Sequence, residues 1–323
     1  MNWITRWKKI GIKVKQIFKK QPLTQEATDW KNCPQCKKIS YKPDLFNNSY
    51  ICECSFHFDL PPKLRLESLF DSSYELIEPV DAINPDPLSF EVTDGAREGY
   101  RYIEKVKKYR KVTGQQTALM CATGNISGLS AVVVCFNPKF GAGRFGPAEN
   151  EHFLKAANFA IEKKVDVWIV VYQSSGIDVH TGVAGLAGMT KSVIAMNEIK
   201  KNNIPTFCVA ARATAGGTYA SSFFMHDFII VESKCVENLL FSGKRVTANI
   251  LKGTDQIPED FGTGPGVMKS GFADITLESR KELKETITKL ANIILKKEQF
   301  KTENVEEVYE NPEDFEKTTS TAS

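Results

Sequence analysis

Cys33 and Cys36, in the string CPQC, are followed after fifteen residues by Cys52 and Cys54 in the string CEC. Two close pairs at that separation bring four thiolates to one tetrahedral centre, which suits zinc. The second pair is one residue tighter than the usual knuckle. His57, three residues past Cys54, is an alternative fourth donor. A centre with four protein ligands keeps no open coordination position. The zinc expected here is therefore structural, holding together a module too small to build its own core. A degenerate ribbon without metal is the competing reading.

The second candidate chemistry lies at glycines. Ser174-Ser175-Gly176 follows the apolar run VDVWIVVY, and Gly216-Gly217 follow IPTFCVAA. Where a strand turns into a helix, backbone N–H groups are unpaired and backed by the positive end of the helix dipole. Glycine also admits close approach. Ser175, Gly176, Gly216 and Gly217 are thus candidates for an oxyanion hole, with donors aimed where negative charge develops on a thioester or urea oxygen. The plainer reading is that tight strand-to-helix turns favour glycine whatever they bind. A third loop, FGAGRFGPAENE, could line the same mouth through Gly141, Gly143, Arg144 and Gly146, with Arg144 a candidate for a ligand phosphate or carboxylate. Its G-x-G ends before any GxxG and is weak as a dinucleotide motif. No Ser/His/Asp or Cys/His arrangement is legible, and no Walker lysine. Chemistry here is expected from backbone dipoles.

These loops need a scaffold. LSAVVVCF (129–136), VDVWIVVY (165–172), IPTFCVAA (204–211) and DFIIVE (227–232) read as strands, short and rich in β-branched residues. AENEHFLKAANFAIEKK precedes the second and GVAGLAGMTKSVIAMNEIKKN separates it from the third, both with helical spacing. Near-continuous apolar strands alternating with helices imply an α/β fold with a parallel sheet covered by helices. Residues 62–112 read as mainly helical with a Pro-rich break, and the chain after Ser242 as helical with a Gly/Pro-rich loop. No internal repeat is visible.

The net charge of +3 over 323 residues hides two opposed ends. Residues 1–22 carry seven Lys/Arg and no acid, with Trp3, Trp7, Ile10, Val14 and Ile17 on one helical stripe. Residues 302–316 carry seven acids and no base, as a solvated tail would. The basic segment is expected to pack on its own protein or a partner, with a membrane-surface role as the sharper alternative. Lysines interrupt any secretory h-region, and no apolar run is long enough to span a bilayer. Cys121, Cys135, Cys208 and Cys235 sit singly in or beside strand runs, as reduced, buried small hydrophobes do. A reducing, cytoplasm-like (or plastid stroma-like) compartment is expected.

Taken in order, MNWITRW, WKNCPQCKKISYKPDLFNNSYICEC, GNISGLSAVVVCFNPKFGAGRFG, SSGIDVHTGVAGLAGMTKSVIAM, TAGGTYASSFFMHDFIIVE and FSGKRV resemble the β subunit of bacterial or plastid acetyl-CoA carboxylase carboxyltransferase over roughly residues 1–295. The resemblance implies a crotonase-like ββα superhelix at 115–298. Before it would come a basic amphipathic helix (1–29), a zinc ribbon (30–60) and a helical linker (61–114), and after it an acidic tail (299–323). It implies transfer of a carboxyl group from biotin, tethered to a biotin carboxyl carrier protein, onto acetyl-CoA to give malonyl-CoA, together with an α-type subunit. Both anions would be held by backbone N–H pairs, one pair from each subunit. It also adds Lys244 and Arg245 as candidates for binding the CoA thioester.

The departures gather at the first turn. Where the family usually shows Ser-Gly-Gly-Ala-Arg, this chain has Ser174-Ser175-Gly176-Ile177-Asp178. Ser175 is expected to keep its N–H available if the turn tolerates a Cβ. Asp178 is expected to reverse the charge at the mouth of the site, which weakens anion binding there. Two further readings follow: a decarboxylase of malonyl-type thioesters, which needs no biotin site, and a catalytically silent zinc-ribbon protein that contacts nucleic acid or a partner. The Gly216-Gly217 turn argues against the last.

Overall fold

The computed structural model describes residues 29–81, 83–93, 95–232, 239–251 and 257–296, and the side chains of Lys244 and Arg245 are outside that description. The basic segment expected over 1–22, the acidic tail and Cys235 therefore lie outside the described residues.

The four predicted strands form, with shifted ends. β5 (Leu129–Phe136), β6 (Val167–Ser174), β7 (Thr206–Ala215) and β8 (Phe228–Glu232) are parallel neighbours, and β10 (Ile275–Leu277) extends the sheet beyond β8. On the other side β4 (Leu119–Ile126) pairs antiparallel with β5, and β3 (Glu75–Ile77) with β4. Sequence reading missed β4. Its string LMCATGNI has neither alternation nor an unbroken apolar run, and Gly124 interrupts it. The hairpin closes through Ser127 and Gly128, both left-handed (φ 48° and 79°), as a primed two-residue turn requires. Asp71 caps that turn by accepting from both amides, at 2.8 and 2.9 Å.

Because side chains alternate across a strand, consecutive residues feed opposite layers. Val132, Val134 and Phe136 join Trp168, Val170 and Tyr172 on one face, under α4 (Pro147–Lys163) and α5 (Val183–Lys201). Ala131, Val133 and Cys135 join Ile169, Val171 and Phe207 on the other. That second face is covered by α2 (Pro62–Leu69) and by α8 (Leu283–Leu295), which presents Leu283, Ile287 and Ala291 at helical spacing. Both faces being dry explains why these strands are apolar throughout. α4 and α5 approach so closely that a Cβ on Gly188 would sit 1.6 Å from Asn150 Nδ2, so any larger residue there must displace the Asn150 side chain.

The segment expected as a helical linker is only partly helical. α2 and α3 (Tyr102–Thr113) flank β3 and an irregular stretch, and Leu66, Leu69 and Phe70 belong to the main apolar layer. Ahead of it, β1 (Trp30–Asn32) and β2 (Ile39–Tyr41) form a small antiparallel ribbon followed by α1 (Lys42–Asn47). The second sheet edge also divides. The first part of β7 pairs with β8, while Thr214 and Ala215 pair with β9 (Leu239–Leu240).

Candidate active site

Parallel pairing brings the C-terminal ends of β5, β6 and β7 to one edge, so the loops that leave them meet. Gly176 and Gly216 are both left-handed, with φ of 105° and 61°. A Cβ on Gly176 would lie 2.8 Å from the Ala215 carbonyl oxygen. The two glycine turns singled out in the sequence therefore abut. Gly217 is tighter still: a Cβ there would be 2.3 Å from Cγ1 of Ile177 and 2.8 Å from Sδ of Met189.

The amides are not equally available. Ser175 N–H donates to Ala142 O at 2.9 Å, Gly176 N–H to Ser174 Oγ at 3.1 Å, and Gly216 N–H to Phe241 O at 3.1 Å. The expectation that the Ser175 amide stays available is corrected: the 140–146 loop folds across the turn and takes it. Gly217 differs, being in the first turn of α6 (Gly216–Tyr219), where an amide has no carbonyl within the helix to bond.

That loop is a strap. Phe145 N–H bonds Gly176 O at 2.9 Å, and Ser174 Oγ–H bonds Gly143 O at 2.7 Å. Gly143 and Gly146 are buried and Gly141 half-buried. A Cβ on Gly143 would fall 1.9 Å from Gln173 O. Gly146 is the N-cap of α4, its amide bonded by the Glu149 carboxylate at 3.1 Å. These glycines serve close chain packing rather than an open mouth.

Arg144 and Asp178 are corrected together. Arg144 is buried, and its Nη1 donates to Asp178 Oδ2 and to the Tyr102 hydroxyl, which itself donates to Asp178. Its Nη2 lies 3.5 Å from Glu149 Oε1. Burial opposes the charge on Arg144, yet Glu149, Tyr102 and Asp178 outweigh it and raise its pKa. Burial, with Asp178 adding to it, pushes the Tyr102 hydroxyl far above its usual range, although Arg144 pulls the other way. Asp178 is thus a paired carboxylate and not a free anion at the mouth, and Arg144, shared between Asp178 and Glu149, is no free cation for a ligand.

One constellation escaped the sequence reading. Asp178 Oδ1 lies 2.9 Å from His180 Nδ1 and also accepts from the His180 amide at 3.2 Å. The His180 ring stacks on Tyr102 (centroids 4.2 Å apart, 3° between planes) and meets the edge of Phe90 at 5.1 Å. D-x-H in a turn was the only available signal, and it is common. Lys244 and Arg245 open α7 (Lys244–Ile250) just past β9, with their side chains outside the described residues.

In the ribbon, one Sγ each from Cys33, Cys36, Cys52 and Cys54 lies within 4.8 Å of the others. The Cys33–Cys54 and Cys36–Cys52 separations are 3.6 and 3.7 Å. Zn–S bonds of about 2.3 Å at tetrahedral angles put sulfurs about 3.8 Å apart, so the cluster fits zinc. His57, buried and nearby in sequence, is not among the donors that converge there. Glu232, at the end of β8, bonds Arg65 at 2.5 and 3.0 Å and lies 3.5 Å from Arg280. Burial pushes its pKa up, but Arg65 and Arg280 win and hold it down. Arg280 Nη1 also donates to Phe58 O at 2.9 Å, tying the ribbon to the body.

Comparison with known proteins agrees with this architecture. Residues 99–322 match the carboxyl transferase domain family. The acetyl-coenzyme A carboxylase carboxyl transferase subunit beta of Pelagibacter ubique (strain HTCC1062) is 32% identical over 302 residues, covering 92% of this chain and 93% of its own. The protein of the same name from Sulfurihydrogenibium sp. (strain YO3AOP1) is 33% identical over 282 residues, covering 85% and 94%. Among solved structures, transcarboxylase 12S with hydrolysed methylmalonyl-coenzyme A bound is similar at a TM-score of 0.57 and 18% identity. The match covers 72% of this chain and 41% of that one. A Pseudomonas malonate decarboxylase hetero-tetramer in complex with malonate gives 0.53 and 18%, covering 73% and 82%. The fold is the crotonase-like α/β fold of these enzymes.

Proposed function

The chain belongs to the carboxyl transferase family, and from that premise we propose that it is the β-type subunit of an acetyl-CoA carboxylase carboxyl transferase. It acts with an α-type subunit and a biotin carboxyl carrier protein to convert acetyl-CoA to malonyl-CoA. Biotin on the carrier supplies the carboxyl group. What this chain contributes is the place where the thioester oxygen gathers negative charge.

The observation that carries the reading is the contact of the Gly176 and Gly216 turns, with Gly217 held against Ile177. The Gly217 amide is the first donor to the thioester oxygen. The Gly176 amide is the second, because its present partner is a hydroxyl, Ser174 Oγ, which a developing oxyanion displaces readily. Ser175 and Gly216 hold the turns in shape through their bonds to Ala142 and Phe241. Lys244 and Arg245, on the segment after β9, take the phosphates of the CoA. Zinc on Cys33, Cys36, Cys52 and Cys54 fixes the ribbon and supplies no chemistry to the transfer. The free thiols Cys121, Cys135 and Cys208 suit a reducing, cytoplasm-like compartment. No helix of the described residues is long and apolar enough to cross a membrane.

The test is carboxyl transfer from malonyl-CoA to biocytin, with and without a co-purified α-type subunit. Transfer that requires the partner is the expected result. Malonyl-CoA loss independent of biocytin would move the assignment to a decarboxylase. No turnover in any combination, with tight salt-sensitive RNA binding, would move it to a silent scaffold.

A further inference from the structure

Three of the four histidines are sealed. His57, His152 and His226 are at most 7% exposed. His152 is bonded on both ring nitrogens, to Thr117 Oγ1 at 2.9 Å and to the Ile77 carbonyl at 2.6 Å. His180 alone keeps part of its ring at the surface, with 29% of its side chain exposed. It sits four residues after Gly176, on the tight turn Val179–Thr181 that leads from β6 into α5.

Its surroundings are those of an oriented base. A carboxylate only accepts hydrogen bonds, so His180 Nδ1, 2.9 Å from Asp178 Oδ1, carries the proton, and the lone pair of a neutral ring lies on Nε2. Asp178 is itself fixed by Arg144 and Tyr102, and Arg144 by Glu149. Tyr102 stacks flat on one face of the imidazole and Phe90 closes its edge, leaving the ring a single orientation. Imidazole is the side chain that both takes and gives a proton, and the carboxylate on Nδ1 fixes the tautomer that leaves Nε2 its lone pair.

We infer that His180 is a proton-transfer residue of the site, with Nε2 exchanging a proton with the α-carbon of the bound acyl thioester without biotin. In that step the Cα–H bond breaks, its electron pair passes into the enolate held by the Gly217 and Gly176 amides, and the proton goes to Nε2. The imidazolium then exchanges with solvent and returns a proton to carbon. The inference rests on the proposed thioester site.

The experiment is incorporation of deuterium into the methyl group of acetyl-CoA in D2O, without biocytin, by the chain purified with its α-type partner. Carboxyl transfer from malonyl-CoA to biocytin and the melting temperature are measured on the same samples. The parent complex is expected to incorporate deuterium. His180→Asn and His180→Gln, which keep polarity and bulk but hold no basic ring nitrogen, are expected to slow exchange roughly 100-fold while the melting temperature stays at the parent value. Exchange equal to the parent in both variants, or none in a parent that performs transfer, overturns the inference while leaving the thioester assignment standing. Absence of both exchange and transfer in a folded parent complex overturns both.

Discussion

At the scale of single residues, the site is built from positions where one atom too many cannot be placed. Gly217→Ala would put its Cβ 2.3 Å from Ile177 Cγ1 and move the amide that the proposed chemistry uses. Losing one oxyanion donor costs about 100- to 1000-fold in rate. That loss is expected in the biocytin assay, with folding kept and KM for malonyl-CoA little changed. The buried Arg144–Asp178 pair behaves differently. Removing one partner leaves the other charged and dry, which costs about 3–5 kcal/mol. Arg144→Met is therefore expected to lower the urea midpoint by a matching amount, whereas a surface arginine removed elsewhere would leave it nearly unmoved.

At the scale of elements, the small ribbon and the large body have separate sources of stability. The ribbon's own apolar cluster is Cys33, Leu45, Cys52 and Phe58, two of which are metal-ligand candidates. Such a core does not offset the ordering entropy of about 30 residues without the metal. One zinc per chain is expected by elemental analysis, and none in Cys33→Ser. Chelation should expose the ribbon to protease while the far-ultraviolet signal of the body persists. Docking is a further, distinct contribution. Arg280 joins Phe58 O to Glu232 of β8. Arg280→Met should keep the zinc yet open the junction, so that limited proteolysis first cuts between the ribbon and α2. Loss of zinc in that variant would mean the metal site depends on docking.

At the scale of the whole molecule, two sealed imidazoles set the acid limit. Burial lowers His152 and His226 to about 4 from an ordinary 6.5, against the backbone bonds to Ile77 and Phe223 that favour the charged form. The unfolded chain then binds protons first. Stability contributed by keeping these rings neutral is full above about 6.5 and is lost progressively as pH falls towards about 4. Urea midpoints taken between pH 7 and 4 should fall steeply. His152→Gln, losing one of the two groups, should flatten that fall even if its midpoint at pH 7 is lower. An equally steep fall in that variant would assign the acid limit to carboxylates instead.

Much of this was legible in linear sequence. The strands β5 to β8 are dry on both faces, so their composition alone marks them, and the spacing of four cysteines marks a tetrahedral cluster without help from distant residues. The glycine turns were legible because left-handed or crowded backbone excludes other residues locally. By contrast, β4 takes its state from its partner strand, and α2 lies in the main core because its Leu66 and Leu69 face packs on β4 and β5. Nor does any local pattern tell that Arg144 and Asp178, 34 positions apart, pair with each other. The same holds for the loop carbonyl of Ala142 taking the Ser175 amide, and for Asp178 orienting His180 under a tyrosine 78 positions upstream. Sequence determines what each stretch can form from its own neighbours. Which charges meet, which amides stay available and which histidine keeps contact with solvent depend on chain segments that only packing brings together.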